Sequence, residues 1–168
     1  MTRRFRAEFE KLWGQTSSRI SAYMFCACGN RTDTDDLVQE CYLRALRGWE
    51  QFNCRGSRQA WLFAIARRTR VDWHRKKRKR KAVACLDSVN EPSDVLKKPN
   101  SDQIETIWEA VKNLDEEQSE VIHLRFAAGL SYVEIAQALG IAVGTVRSRL
   151  HRALKTIRRQ IEEQNNEA

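Results

Sequence analysis

The sequence lacks both of the patterns that place a chain in or across a membrane. The longest apolar run, residues 22–28 of the 168, is far too short to cross a bilayer. The first ten residues are charged throughout and lack the apolar stretch of a secretory signal. We therefore expect no membrane insertion and a cytoplasmic location.

The cysteines lack the spacing of residues that coordinate a metal ion. The five cysteines form an odd set with no CxxC pair and no matching histidines, unlike a structural zinc site. Cys41 falls among apolar neighbours at helical spacing, where a thiol behaves as a small hydrophobe. We expect reduced thiols and no metal or cofactor. The alternative is that Cys26 and Cys28 form a redox or metal handle. The remaining cysteines are Cys54 and Cys85.

No segment alternates with period two for long enough to require a strand, so the predicted class is all-α. Both prolines, Pro92 and Pro99, lie in a stretch rich in small polar residues that disfavours helix. This stretch predicts a flexible linker over residues 82–101. The linker joins two small helical domains, residues 1–81 and residues 102–168.

Three helices are predicted in the first domain. The first carries apolar residues at steps of three and four and stops at Gly29. The second begins near an acidic cluster, where carboxylates favour the positive end of the helix dipole, and it ends before Gly48. The third is capped by Ser57 and buries Trp61 and Leu62 before a basic run begins. Predicted core positions are Phe5, Phe9, Leu12, Trp13, Ile20, Tyr23, Met24, Leu37, Val38, Cys41, Ala45, Leu46, Ile65 and Ala66.

The second domain contains the pattern of a helix-turn-helix. One helix follows a cap at Asp115 and closes at Gly129, and Ser131 opens the next with a capping box completed by Glu134. A turn at Gly140, with Ile141 buried, then leads into a helix from about Val143. A preceding helix is marked by Ile104, Ile107, Trp108 and Val111.

The last of these helices has two distinct faces at 100° per residue. Leu150, Ala153, Leu154 and Ile157 form an apolar face, and Ser148, His151, Arg152 and Lys155 lie opposite. Arg147 and Arg149 lie on the flanks. Such a helix fits the major groove, with polar side chains at base edges and flanking arginines at phosphates.

The positive charge is concentrated in one segment. The chain has a net charge of +8, and residues 67–81 hold ten Lys or Arg residues against a single acid, Asp72. The rest of the chain is therefore close to neutral. Trp73 and His74 are embedded in this charge, which suits a separated nucleic-acid strand whose bases stack on aromatic rings. The simpler alternative is a nonspecific basic tail or a solvated helix end.

Several motifs together resemble the extracytoplasmic-function sigma factors of bacterial RNA polymerase. In the first half the motifs are DDLVQE at residues 35–40, LRA at residues 43–45 and AWLFAIAR at residues 60–67, which look like region two of that family. In the second half they are LDEEQ at residues 114–118, VIHLR at residues 121–125 and GTVRSRLHRAL at residues 144–154, which look like region four.

The resemblance implies a transcription initiation factor, not an enzyme, and it assigns roles to residues. The second helix would dock on the clamp helices of the beta-prime subunit through Asp35, Asp36, Gln39, Glu40 and Arg44. The third helix and a following loop would capture and melt the minus-ten element through Arg67, Arg70, Asp72, Trp73, Arg75, Lys76 and Lys77. Region four would contact the beta subunit flap and read the minus-thirty-five element through Thr145, Arg147, Ser148, Arg149, His151, Arg152 and Lys155. An anti-sigma protein is a further expected partner.

Two other classes of protein are compatible with parts of the sequence. A stand-alone helix-turn-helix regulator would bind an operator without polymerase, but the first half offers it no ligand-sensing architecture. A small nuclease would use Asp33, Asp35 and Asp36 to hold a metal ion. Helix capping explains those carboxylates more simply, and no Gly-rich phosphate loop accompanies them.

Overall fold

A computed structural model describes residues 3–52, 56–84, 107 and 110–166, and every regular element in that part of the chain is helical. The backbone divides into two units, residues 1–95 and 96–168. The predicted class, two small helical domains, is confirmed. Most of the predicted linker, residues 82–101, lies outside the described residues. Among the described residues no helix is long and apolar enough to cross a membrane.

The first unit is a bundle of three helices that pack against one another in pairs: α1 (Arg3–Cys28), α2 (Arg31–Gly48) and α3 (Arg58–Ala84). A short 3-10 helix, Trp49–Gln51, continues α2. Gly29, at φ 70°, ends α1 in the left-handed conformation that glycine adopts freely. The cap of α2 is Asn30, whose side chain accepts a hydrogen bond from the Asp33 amide at 2.9 Å. The second helix therefore starts two residues before the acidic cluster.

The core of this unit lies mainly along the predicted apolar positions. Ser57 Oγ caps α3 as predicted, by accepting the Ala60 amide at 3.3 Å. Five predicted core residues are only half-buried: Trp13, Val38, Leu46, Trp61 and Ile65. Phe63 is a core residue that the spacing did not indicate. The buried apolar side chains of this unit are Phe9, Leu12, Ile20, Tyr23, Met24, Cys28, Leu37, Cys41, Ala45, Trp49, Ala60, Leu62, Phe63 and Ala66.

The third helix does not end where the basic run begins. It continues through residues 67–80 to Ala84, so the residues predicted to bind the minus-ten element lie on the helix itself. Lysine and arginine are good helix formers, and no glycine or proline lies between Gly56 and Pro92 to stop the helix. Asp72 and Trp73 are therefore held on a continuous helix.

The second unit contains the predicted helix-turn-helix. Its labelled helices are α4 (Glu116–Ile122), α5 (Tyr132–Leu139) and α6 (Val143–Asn166), and a π-helical turn, His123–Ala127, extends α4. Asp115 caps α4, because its Oδ1 accepts a hydrogen bond from the Gln118 amide at 2.7 Å. Ser131 and Glu134 form the predicted capping box. Gly129 and Gly140 have φ near +65°, and this left-handed conformation forms the turn before α5 and the turn between α5 and α6.

The two helices of this motif are held together by an apolar seam. Ile135 and Ala136 on α5 are buried, as are Val146 and Leu150 on α6. The predicted burial of Leu154 is wrong, because this side chain is 46% exposed, and Ile141 and Ile157 are only half-buried. Ala153, the residue before Leu154, is fully buried, so Leu154 lies at the edge of the apolar face of α6.

The predicted helix before α4 is described only in part. Ala110 and Val111 are helical and buried, whereas Ile107 is 45% exposed. Ile104 and Trp108 lie outside the described residues.

Candidate nucleic-acid interface

A cleft of about 450 Å³ opens in the first unit where α2, the 3-10 helix and α3 meet. Its walls combine two aromatic rings with two guanidinium groups. The lining residues are Arg44, Gly48, Gln51, Phe52, Trp61, Ile65 and Arg68. This combination suits a flat, partly apolar ligand that carries or adjoins negative charge.

The aromatic wall of the cleft is fixed by a larger cluster of rings. Phe52 lies 5.0 Å from Trp61 and 6.0 Å from Trp49, measured between ring centroids. Trp49 is buried, so it anchors both of the other rings. Gly48 allows this arrangement, because a Cβ at that position would lie 3.2 Å from the Trp61 ring. The cleft is thus shaped before any ligand enters.

An unstacked nucleobase matches this cleft. A base can stack on an aromatic side chain for about 1–3 kcal/mol, and arginine donates hydrogen bonds to base or phosphate oxygens. The sequence prediction missed the cleft, because it assigned Trp61 to the core and did not consider Phe52. The available signal was Trp49 and Phe52, two aromatic residues close to a cationic helix but outside any apolar stripe.

Arg44 and Asp72 were assigned to different partners, yet they bind each other. Arg44 Nη1 donates to Asp72 Oδ2 at 2.8 Å, and Arg44 Nε donates to Glu40 Oε1 at 2.7 Å. The hydrogen bond from Arg44 holds the pKa of Asp72 below its usual value. Arg44 therefore lines the cleft beside α3, and its predicted contact with polymerase stays a prediction.

The other predicted minus-ten residues fall into two groups. Arg70 is only 6% exposed, with its guanidinium 5.1 Å from the Tyr23 ring, so it packs against the core and not on the surface where DNA binding was predicted. Arg67 is half-buried on the same helix. Trp73 is also half-buried and packs against His74, and Lys77 lies 4.5 Å above its ring. Lys77 is in addition 3.9 Å from Asp33. The exposed cations form the arm of α3, residues 75–80.

The exposed face of α2 is the candidate polymerase-binding surface. Asp35, Asp36 and Gln39 are exposed and Glu40 is half-buried, while the apolar residues of α2 face the bundle. Leu43 is 38% exposed on the same face. Sequence reasoning missed Leu43 and its exposed neighbour Arg47, although steps of three and four from Asp36 lead directly to them.

The recognition helix α6 presents most of its predicted residues to solvent. Arg147, His151, Arg152 and Lys155 are exposed. Thr145 and Ser148 are half-buried, and Ser148 Oγ donates to the Thr145 carbonyl at 3.0 Å. Arg149 differs, because its guanidinium is 2.7 Å from Glu117 Oε1 of α4 and its side chain is 21% exposed. Arg149 thus ties α6 to α4, and its predicted contact with the DNA backbone stays a prediction.

The surroundings of Cys26, Cys28, Cys41 and the acidic cluster bear on the alternative roles. Within the described residues no group of three or more His, Cys, Asp or Glu side chains is arranged to hold a metal ion. Asp33 accepts a hydrogen bond at 2.9 Å from Nδ2 of Asn30, the residue that caps α2, so this carboxylate supports the start of the helix. Burial raises the pKa of Cys26 and Cys28 to about 11 and that of Cys41 to about 12. Cys54 and Cys85 lie outside the described residues.

These raised pKa values predict slow alkylation of the native protein. Thiolates react and thiols do not, so a thiol pKa of about 11 leaves roughly a hundredfold less thiolate at pH 8 than the ordinary value of 9.0. Iodoacetamide at pH 8 followed by peptide mapping should find Cys26 and Cys28 largely unmodified. The rate should rise as the pH approaches 11, and it should be ordinary in denaturant. Rapid modification of the native protein at pH 8 would contradict this burial.

Comparison with known proteins gives matches over both units. The family described as sigma-70 region 2 matches residues 12–80, and the family described as sigma-70, region 4 matches residues 104–157. The chain is 31% identical to the ECF RNA polymerase sigma factor SigL of Mycobacterium tuberculosis, over 90% of this chain and 88% of SigL. It is 29% identical to the ECF RNA polymerase sigma factor SigX of Bacillus subtilis, over 92% of this chain and 84% of SigX.

Two solved structures share the fold. One is the sigma factor RpoE in complex with the anti-sigma factor NepR from Bartonella quintana, with a TM-score of 0.74, 23% identity and coverage of 92% of this chain and 97% of RpoE. The other is CnrH in complex with the cytosolic domain of CnrY, with a TM-score of 0.71, 22% identity and coverage of 94% of this chain and 90% of CnrH.

Proposed function

Given that this chain belongs to the extracytoplasmic-function (ECF) family of RNA polymerase sigma factors, we propose that its cleft captures an unpaired base of the minus-ten element. A sigma factor binds core RNA polymerase and directs it to promoters, so this membership replaces the stand-alone regulator as the function. The observation that carries the proposal is the aromatic cleft, lined by Phe52, Trp61 and two arginines, on the helix that holds the cationic arm.

Capture of one base accounts for the chemistry of the cleft. A base taken out of the duplex loses its stacking and pairing, which costs a few kcal/mol. Phe52 and Trp61 replace the lost stacking, and Arg68 at the rim can donate to a base edge or to its phosphate. Asp72 holds Arg44 through the 2.8 Å hydrogen bond, so it positions the second guanidinium of the cleft instead of meeting DNA itself.

The exposed face of α2 is the proposed docking surface for the clamp helices of the beta-prime subunit. Leu43 lies among polar residues on that face, as an apolar anchor does within a protein interface. Asp36 and Gln39 are exposed on the same side and are not used by the core. Docking through Asp36, Gln39 and Leu43 does not require Arg44, which binds Asp72 at the cleft.

The second unit is proposed to bind the minus-thirty-five element with α6 in the major groove and to contact the beta subunit flap. Its exposed Arg147, His151, Arg152 and Lys155 supply both base-edge and phosphate donors. We place the factor in the cytoplasm with the polymerase. RpoE is bound to an anti-sigma factor in its structure, and we propose that this chain is held by such a protein until a signal releases it.

Promoter-directed transcription is the direct test of this function. The full chain, added to bacterial core polymerase, should start transcription at a subset of promoters selected from a random library. The chain without core polymerase should leave those promoters unprotected in a footprint. Protection of the same promoters by the chain alone, with no transcription after core is added, would reject the sigma-factor mechanism.

Truncation of Leu43 should weaken docking on the polymerase. We expect Leu43→Ala to raise the Kd for core polymerase about tenfold, since an apolar anchor in an interface contributes about 1–2 kcal/mol. Its thermal stability should change by no more than about 0.5 kcal/mol, as is usual for an exposed position. The matched control is Val71→Ala on α3, because Val71 is 39% exposed, as Leu43 is at 38%. Equal affinities of the two variants for core polymerase would remove Leu43 from the docking surface.

A further inference from the structure

Glu40 lies between the proposed docking face of α2 and the cleft. With 3.6 residues per turn, Glu40 is about 40° around the helix from Asp36, and Arg44 is about 40° further in the same direction. Asp36 is exposed, whereas Arg44 lines the cleft. The Glu40 side chain is 44% exposed, so its carboxylate can be reached from the docking face. Glu40 therefore stands at the boundary between the two sites.

Arg44 is held by carboxylates from two different helices. Its Nε donates to Glu40 Oε1 of α2 at 2.7 Å, and its Nη1 donates to Asp72 Oδ2 of α3 at 2.8 Å. The hydrogen bonds to Asp72 and to Glu40 raise the pKa of Arg44 above its ordinary value, so the guanidinium stays charged. A rigid, planar guanidinium that is held at two of its nitrogens cannot turn about either contact alone. The two carboxylates together thus fix its orientation.

These two contacts leave one nitrogen of Arg44 for a ligand. A guanidinium carries donors on all three of its nitrogens. Within the described residues, no hydrogen bond or ion pair of Arg44 uses Nη2. Because Arg44 lines the cleft together with Phe52 and Trp61, the donors on Nη2 can meet the edge of a base that stacks on these rings.

We propose that Glu40 is a positioning residue for base capture, which acts through Arg44 on the base held in the cleft. Without Glu40, Arg44 is held by Asp72 alone, and the base has to order the arginine side chain when it binds. The proposal rests on the proposed function, because the cleft must hold a base. It gives Glu40 a role in melting that is separate from its place on the docking face.

The test uses holoenzyme, formed with saturating core polymerase, and two DNA probes. One probe is the non-template strand of the minus-ten element. The other is the same strand with an abasic nucleotide at the captured position. The ratio of the two affinities measures what the base itself contributes, and the Kd for core polymerase is measured separately for each variant.

We expect Glu40→Ala to lower this ratio about twofold to tenfold, which corresponds to the cost of ordering one long side chain. Glu40→Gln should keep most of the ratio, because its amide oxygen can still accept from Arg44 Nε. Glu40→Asp keeps the charge but is one methylene too short, so it should lower the ratio as Glu40→Ala does. Thermal unfolding of each variant reports any change in the fold.

Asp36→Ala is the matched control on the same face of α2. In the described part of the chain Asp36 forms no hydrogen bond or ion pair with Arg44. This variant should weaken binding to core polymerase and leave the ratio of the two probes unchanged.

A double-mutant cycle shows whether Glu40 acts through Arg44. Arg44→Ala removes the group that Glu40 positions. In that background, Glu40→Ala should have no further effect on the ratio, although it should still weaken binding to core polymerase if Glu40 also contacts the polymerase.

Two results would overturn the inference about Glu40. If Glu40→Ala and Glu40→Asp weaken core binding and leave the ratio unchanged, Glu40 belongs to the docking face alone. If Glu40→Ala lowers the ratio equally with and without Arg44, it acts by another route. The proposed function fails by a separate result, in which wild-type holoenzyme binds the intact strand and every abasic strand equally, and the inference then fails with it.

Discussion

Phe52→Ala is expected to slow open-complex formation by about tenfold to a hundredfold on a fully paired promoter. Removal of one stacking partner costs about 1–3 kcal/mol per captured base, and each 1.4 kcal/mol is a factor of ten. The loss should fall on melting, because the cleft can hold a base only after the base leaves the duplex. Fluorescence of a 2-aminopurine in the minus-ten element would follow this step in holoenzyme.

The cluster of rings offers a matched control for this variant. Trp13 contacts Phe9 and Tyr42 at the other end of the cluster and does not line the cleft. Trp13→Ala removes an aromatic ring of the same cluster, so it reports on loss of packing alone. Thermal unfolding of both variants measures that loss directly.

The base that the cleft holds can be located by abasic nucleotides placed one at a time in the non-template strand. At the captured position, wild type and Phe52→Ala should bind the abasic probe equally, because neither has a base to stack. At every other position the variant should remain weaker. If no position removes the difference, Phe52 acts on the fold of the factor and not on a base.

Local sequence signals predicted the ends of the helices well, because the groups that satisfy a helix end lie within a few residues. Each cap hydrogen bond joins residues three positions apart, as between Asp115 and the Gln118 amide and between Ser131 and Glu134. The turns at Gly129 and Gly140 could be predicted for the same reason, since each turn needs a positive φ at a single residue.

The cleft could not be predicted from the sequence, because its residues are far apart in the chain. Arg44 and Asp72 are separated by 28 positions, and each had a plausible solvent-exposed role of its own. The burial of Arg70 against Tyr23 likewise depends on how α1 and α3 pack. Hydrophobic periodicity shows which face of a helix is buried, but not which polar residue bridges to a neighbouring helix.

The extent of α3 shows a different limit. The loop after the third helix came from the family resemblance, whereas the local sequence, rich in lysine and arginine without glycine or proline, favours helix through residues 67–80. Following local propensity there would have given the observed helix.

On α6, base reading and phosphate binding should separate between different residues. Arg152 and His151 project away from the seam formed by Val146 and Leu150, so they should reach base edges when α6 enters the major groove. Arg152→Ala should reduce the preference for particular minus-thirty-five bases by about 1–3 kcal/mol, the value of a good bidentate contact. Arg147→Ala should instead weaken all promoters alike, because a flanking arginine meets the phosphate backbone.

Arg149 supplies the internal control for this assignment. Its 2.7 Å ion pair with Glu117 stabilises the packing of α6 on α4, and Glu117 is 68% exposed, so the pair contributes at most about 1 kcal/mol. Arg149→Ala should therefore lower thermal stability slightly and leave base preference unchanged. Glu117→Ala should have the same effect, which it could not have if Arg149 acted through DNA.

A promoter library with every minus-thirty-five base randomised, transcribed by holoenzyme carrying each variant, separates these effects. Arg152→Ala and His151→Ala should flatten the base preference at one or two positions, and the rest of the preferred sequence should persist. Arg147→Ala should lower transcription from all members by a common factor, and this factor should depend on salt because binding to phosphates releases counterions. If Arg152→Ala and His151→Ala also lower all members by a common factor, this face of α6 does not read sequence. The helix would then lie in the groove in another orientation.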